Sequence, residues 1–190
     1  MLDGSSESNI LLQPFAQDEA APVSAIEDKL VLLFDEIRVP LLRYLSAFPL
    51  ALPDAEDVVQ EAFLSLFQQL QRGKSHQNVR GWLFRAAHNL AIKRGIRSRT
   101  DAEKSGSLAP VEELVVDPAL NPEDQFALSQ RQKRLRSVVR ALPEQQRLCL
   151  YLRAEGLRYR EIAEILNMSL GSVSIALGRS LAHLSRAAER

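Results

Sequence analysis

LPEQQRLCLYLRAEGLRYREIAEILNMSLGSVSIALGRSLAHLSR, running from Leu142 to Arg186, is the stretch on which the reading of the chain turns. It divides into three helices. The first begins at Pro143, whose missing N–H costs nothing in a first helical turn, and stops near Gly156, a residue suited to a left-handed cap. The second spans about Tyr159 to Leu166, with Ile162, Ala163, Ile165 and Leu166 on an apolar side, and breaks at Asn167-Met168-Ser169. Ser169 caps the third, in which Val173, Leu177, Leu181 and Leu184 recur at spacings of four, four and three, so that one face is apolar and the other is open to a partner. Two short helices joined by a three-residue turn predict a helix-turn-helix. An ordinary packed three-helix core fits the same pattern, and charge separates the two readings. Gln125 to Arg190 carries twelve Arg or Lys against five Glu in a chain whose formal net charge is zero, and a local positive field is what a phosphate backbone selects.

The zero is itself a sum of stripes. Residues 1–25 hold four acids and no base, 26–70 eight acids and three bases, 71–99 eight bases and no acid, and 101–124 seven acids and one base. At 190 residues the chain has room for one domain or two small ones, and this segregation favours two. A single cysteine, Cys149 among Leu148, Leu150 and Leu152, excludes an internal disulfide framework and reads as a small buried hydrophobe. His76, His88 and His183 are scattered, and there is no Walker-type glycine loop, so neither a zinc site nor an enzyme is expected and no cofactor is called for. No apolar run reaches the ~18 residues of a membrane span, and the acidic start lacks a signal-peptide basic region, so a cytoplasmic protein without membrane insertion is expected.

Taken in order, residues 1–23 read as a mobile tail. Ser24 and Glu27 form a capping-box signature before the helical face Ile26, Leu30, Leu33, Phe34 and Ile37; Pro40 is expected to kink or restart this helix, which continues through Leu41, Leu42, Tyr44, Leu45 and Phe48 to the Pro49–Pro53 loop. Asp54 is the expected cap of the next helix, whose core stripe is Ala55, Val58, Val59, Ala62, Phe63, Leu66 and Leu70. Its other face carries Glu56, Asp57, Gln60 and Glu61 as an uncompensated acidic surface, with Leu64 and Phe67 off the stripe; a merely solvated face is the plain alternative. From Arg72 the sign inverts. After a polar loop capped by Asn78, a helix places Val79, Leu83, Ala86, Ala87, Leu90 and Ala91 inward. Arg72, Lys74, Arg80, Arg85, Lys93, Arg94, Arg97 and Arg99 are available to phosphates, while His76, Trp82, Phe84, His88 and Asn89 offer stacking surfaces or base-edge hydrogen bonds, with core packing the stronger reading for Trp82. Residues 100–121 read as an acidic, proline-bearing linker, and Asn121-Pro122 open a helix whose Phe126, Leu128, Leu135, Val138, Val139 and Leu142 feed the second core.

Leu142-Pro143-Glu144, Gly156-Leu157 with EIAEIL, and Ser169-Leu170-Gly171-Ser172-Val173 resemble the C-terminal promoter-binding domain of bacterial extracytoplasmic-function (ECF) sigma factors of the sigma-70 type. DAEDVVQEAFLSLF at 54–67 and WLFRAAHNLAI at 82–92 resemble the polymerase-binding and promoter-melting parts of the same family, in the same order, so the resemblance covers roughly 26–187. It implies an all-α protein of two small helical domains joined by a flexible linker: a tail at 1–23, a polymerase-binding and minus-ten domain at 24–99, a linker at 100–121, and a minus-35 helix-turn-helix domain at 122–190. By this resemblance Glu56, Asp57, Gln60, Glu61, Leu64 and Phe67 meet the clamp of core RNA polymerase. The loop 72–79 and the basic helix receive the separated minus-ten strand, with a narrow promoter set and limited melting power. The linker's Glu112, Glu113 and Asp117 would mimic an RNA backbone in the exit path, or serve only as a solvated spacer. An anti-sigma factor is the further expected partner.

One departure from the family stands out. After Val173 the third helix runs Ser174, Ile175, Ala176, Leu177, Gly178, and Arg179 is its first cation. The expected outward stripe is therefore Ser172, Ala176, Arg179, His183 and Arg186 with Ile175 alongside, and phosphate affinity falls to Arg147, Arg153, Arg158 and Arg160 on the two preceding helices. Two other classes fit parts of the chain. A helix-turn-helix regulator acting without polymerase explains only the C-terminal half, and a sigma-like decoy that binds an anti-sigma factor and no DNA fits the weakly basic third helix.

Overall fold

The structure, a computed structural model, describes residues 23–74, 76–105 and 133–188. Every regular element among them is an α-helix: α1 (Val23–Leu45), α2 (Leu52–Gln71), α3 (Val79–Ser105), α4 (residues 133–141), α5 (Glu144–Ala154), α6 (Tyr159–Leu166) and α7 (Leu170–Ala188). They fall into two units, within Met1–Val111 and Glu112–Arg190. The expected tail at 1–23, except Val23, lies outside the described residues. So do most of the linker and the helix opening at Asn121-Pro122.

In the first unit α1, α2 and α3 each touch the other two. All seven expected core positions of α2 are buried, because apolar residues three and four apart leave no ambiguity about which side is dry. Leu33, Ile37 and Leu41 of α1 and Leu83, Ala87 and Ala91 of α3 are buried as well. Edge-on ring pairs, Phe34 with Phe63 at 5.0 Å and Tyr44 with Phe84 at 5.7 Å between centroids, tie the helices together. Three terminus details correct the sequence reading. The backbone is already helical at Val23, which puts Ser24 inside the first turn of α1. α1 runs through Pro40, which removes one backbone donor but does not restart the helix. α2 starts before Pro53, whose fixed φ suits a first turn, so Ala51 is the cap residue and Asp54 sits in the first turn beside the positive helix end.

Asn78 does cap α3: its Oδ1 accepts the Gly81 N–H at 2.9 Å. A Cβ at Gly81 would lie 2.5 Å from the Asn78 amide nitrogen, so the absent side chain at 81 is what lets the cap close. Helical backbone continues to Ser105, past the boundary expected at 99.

The second unit packs α5, α6 and α7 against one another. Pro143 is the residue before α5, not its first turn. At the other end Gly156, with φ +85°, donates to the Arg153 carbonyl (3.0 Å) and Leu157 N–H to the Leu152 carbonyl (3.1 Å); this paired closure also buries Leu157 with Leu152. Glu161 turns back to accept the Arg158 N–H at the start of α6. Asn167 takes a left-handed conformation (φ 51°, ψ 49°) and ends α6. Ser169 Oγ then accepts the Ser172 N–H at 3.1 Å and opens α7, as expected. The α6–α7 pair is bent by 104°, the geometry of a helix-turn-helix.

The inward face of α7 differs from the expected one. Val173, Ala176, Leu177 and Ser180 are buried, whereas Leu181 is 56 % exposed. Ser180 can occupy a core position because its hydroxyl is satisfied within it, donating to the Ala176 carbonyl at 2.8 Å and lying 3.3 Å from the Gln146 carbonyl. Among the described residues no single helix is long and apolar enough to cross a membrane.

Candidate functional site

The acidic side of α2 presents Asp57, Gln60, Glu61 and Leu64 to solvent, with Glu56 and Phe67 half-buried. It is not uncompensated. Arg38 Nη2 of α1 donates to Glu56 Oε1 at 2.8 Å. Arg94 of α3 reaches three carboxylates: Nη1 lies 3.0 Å from Asp57 Oδ2 and 3.7 Å from Asp54 Oδ1, and Nη2 lies 3.5 Å from Glu61 Oε2. Sequence alone could not show this, because the compensating cations come from the neighbouring helices.

α3 divides its predicted nucleic-acid residues between two environments. Trp82, Arg85, Asn89 and Lys93 face outward, with Trp82 half-buried. Ile92 joins them at 43 % exposure. The sequence reading passed over Ile92, although its position three residues after Asn89 and seven after Arg85 puts it beside them on the helix surface. His76 lies against Trp82, ring centroids 5.1 Å apart, and its Nε2 donates to Gln69 Oε1 at 2.8 Å. Burial, followed by the charges of Lys74 and Arg85, lowers the His76 imidazole pKa below its usual 6.5. Arg72 and Lys74 of the preceding loop are exposed.

Phe84 and His88 are corrections. Both are buried, Phe84 fully and His88 with 8 % exposed, and His88 Nδ1 lies 2.7 Å from the Tyr44 hydroxyl. They stand one turn apart on the side of α3 that also carries Ala87 and Ala91, where polar character is tolerated because a partner is supplied. Neither is presented to a strand. Arg80 is turned toward α1, 3.7 Å from Glu36 and 5.6 Å from the Phe84 ring centre. The Asn78 amide oxygen is occupied by its cap. The Arg97 side chain lies outside the described residues.

On α7, Ser172, Ile175, Arg179, His183 and Arg186 are exposed, as expected. Ala176 is not: it is buried, because it stands three residues from Val173 and four from Ser180 on the packed face. Ile175, at 58 % exposure, and Arg179 are then the prominent groups of the outer surface. Of the four supporting cations, Arg153, Arg158 and Arg160 are exposed. Arg153 donates to the Leu157 carbonyl at 3.2 Å and lies 5.9 Å from the Tyr159 ring centre, and half-buried Arg147 donates to the Arg140 carbonyl at 3.3 Å.

A helix-turn-helix in one helical unit, and an acidic helix beside a basic, tryptophan-bearing one in the other, define a two-part all-α protein built for binding macromolecular surfaces of both signs. Comparison with known proteins narrows the class. Residues 33–101 match the family model for sigma-70 region 2, and residues 132–184 that for sigma-70 region 4. Over 134 residues the chain is 31 % identical to the ECF RNA polymerase sigma factor SigW of Bacillus subtilis (strain 168), covering 66 % of this chain and 71 % of that one. It is 29 % identical over 167 residues to the RNA polymerase sigma factor YlaC of the same organism, covering 85 % and 91 %. The fold is similar to that of the sigma factor RpoE from Bartonella quintana, solved with the anti-sigma factor NepR, at a TM-score of 0.58 and 19 % identity over 83 % of this chain and 96 % of that one. The chain belongs to the ECF group of sigma-70-type RNA polymerase sigma factors, and it is a promoter-specific transcription initiation factor.

Proposed function

We propose that the protein docks on core RNA polymerase through the outer face of α2, receives the opened minus-ten strand on the outward stripe of α3, and reads the minus-35 element with α7. The observation that carries this reading is the juxtaposition in one unit of exposed Asp57, Gln60, Glu61 and Leu64 on α2 with exposed Arg85, Asn89, Ile92 and Lys93 on α3. A basic protein surface and a nucleic-acid strand need surfaces of opposite sign, and two adjacent helices supply them. In this reading Leu64 is the apolar centre of the polymerase contact and the flanking acids set its register.

On α7, Ile175 meets thymine methyl groups and Arg179 makes the bidentate base contact, while Arg158 and Arg160 bind phosphates. Arg153 and Arg147, engaged by backbone carbonyls, hold the helix-turn-helix together first. The domain layout follows: residues 24–99 with the extension of α3 form the polymerase and minus-ten unit, and 122–190 the minus-35 unit. The protein acts by binding and placement rather than by chemistry of its own, in the cytoplasm where polymerase works. As with RpoE of Bartonella quintana, an anti-sigma factor is the proposed regulator. The light charge of α7 supports a second reading, a decoy that occupies an anti-sigma factor without binding DNA.

The test is copurification of the full chain with core polymerase. Asp57→Arg with Glu61→Arg abolishes it under this reading, with a stability change of less than about 1 kcal/mol from the half-exposed ion pairs to Arg94. Unaltered copurification would remove the docking assignment.

A further inference from the structure

Arg94 belongs by sequence to the acid-free run 71–99, whose exposed cations Arg85 and Lys93 are assigned above to nucleic acid. Its position points elsewhere. Lying three residues beyond buried Ala91, it emerges on the packed side of α3 and spans to α2, where its guanidinium faces Asp54, Asp57 and Glu61 at 3.7, 3.0 and 3.5 Å. The Arg94 side chain is 27 % exposed, against 41, 58 and 49 % for the three acids. The cation is thus the inner member of the cluster and the carboxylates are the outer ones.

Three acids at 54, 57 and 61 occupy one stripe of α2, where like charges three and four apart disfavour one another by a few tenths of a kcal/mol per pair. Left alone they spread into separate rotamers. One guanidinium, with five N–H donors in a fixed plane, can gather them, and a point-charge ammonium does so less well. A carboxylate has about four lone-pair sites, so a bond to Arg94 from beneath leaves acceptor capacity for a second cation from outside.

We infer that Arg94 is a positioning residue of the polymerase-docking face: it holds the carboxylates of Asp54, Asp57 and Glu61 in one outward array for the basic side chains of core polymerase, and its charge is withheld from DNA. This rests on the reading of α2 as the docking helix. It also makes α3 part of that surface, so the helix that receives the strand braces the helix that docks.

The experiment measures affinity of the full-length chain for core polymerase, and of the resulting holoenzyme for a single-stranded minus-ten oligonucleotide across a salt series, with thermal melts of each variant. Arg94→Ala weakens polymerase binding about 3- to 10-fold, and Arg94→Lys, which keeps the charge but not the planar fork, recovers only part of that loss. In the oligonucleotide arm Arg94→Ala leaves the salt slope unchanged, whereas Lys93→Ala lowers it by about 0.7, the contribution of one phosphate contact. If Arg94→Ala fails to melt cooperatively, Arg94→Gln, which keeps two donors without charge, carries the same expectations. Asp57→Arg separates the two levels. Should it bind polymerase normally, the docking assignment falls and the proposal with it. Should it abolish binding while Arg94→Ala binds as tightly as the unsubstituted chain or more tightly, positioning alone is overturned and Arg94 is a competitor of the partner's cations. A loss of salt slope in Arg94→Ala would return the residue to the DNA.

Discussion

Ser180 and Leu181 are neighbours on α7 with exchanged surroundings: the hydroxyl is buried and the leucine faces water. Hydropathy assigns them the other way, and only the two carbonyls that receive the Ser180 hydroxyl explain the inversion. The register is testable by truncation. Leu177→Ala, at a fully packed position, costs about 2–5 kcal/mol, and Leu181→Ala less than about 0.5 kcal/mol, both read from chemical denaturation. Equal costs would mean that the sequence-derived face was right. His88 teaches the same lesson, since an imidazole in a basic run reads as a DNA contact until the Tyr44 hydroxyl is seen beside it. His76, against Trp82, titrates below its ordinary value of 6.5 because burial and then Lys74 and Arg85 oppose its charge. The unfolded chain therefore binds this proton first as pH falls. The group's contribution to stability is complete above 6.5 and declines through the window between 6.5 and the lower folded value. His76→Gln should accordingly show a smaller fall in melting temperature between about pH 7 and pH 5 than the unsubstituted chain; an equal fall would contradict the shift.

Local periodicity and local hydrogen bonding were legible where one face is uniformly apolar. α2 is the example: all seven core positions were foreseeable, as were the bend at Asn167 and the Ser169 cap, because each rests on local periodicity or local hydrogen bonding. α3 was legible only in part. It packs against both α1 and α2, so more of its circumference is dry than a single stripe predicts, and Phe84, His88, Arg80 and Arg94 all answer to neighbouring helices that its own sequence does not reveal. What remains outward is the line Trp82, Arg85, Asn89, Ile92, with Lys93 beside it. An exposed isoleucine there has no folding role to defend, and apolar side chains at DNA faces stabilise unstacked bases. Ile92→Ser should leave polymerase binding and melting temperature unchanged and lower the yield of open promoter complex several-fold, monitored by permanganate reactivity of the minus-ten thymines. Open-complex yield equal to that of the unsubstituted chain would take Ile92 off the strand path.

At the scale of the whole chain, a formal net charge of zero conceals a segregation that the proposed function uses: acids on the helix assigned to a basic polymerase surface, cations on helices assigned to nucleic acid. Pairing by Arg38 and Arg94 softens that contrast in the first unit without erasing it, because around Arg94 the three acids remain the outer members. In the second unit exposed Arg158 and Arg160 lie on the helix-turn-helix, and α7 itself offers Ile175 and Arg179. Under the proposed function a helix so lightly charged reads DNA by a few contacts, and polymerase supplies the rest of the affinity. The most direct test of this account is mapping of transcript starts with purified core polymerase and this protein on a randomised promoter library. The account predicts defined starts downstream of a shared minus-35 element, with Arg179→Ala flattening preference at that element and Arg158→Ala reducing output from all promoters alike. Binding to polymerase without defined starts, or unchanged discrimination by Arg179→Ala, would contradict it.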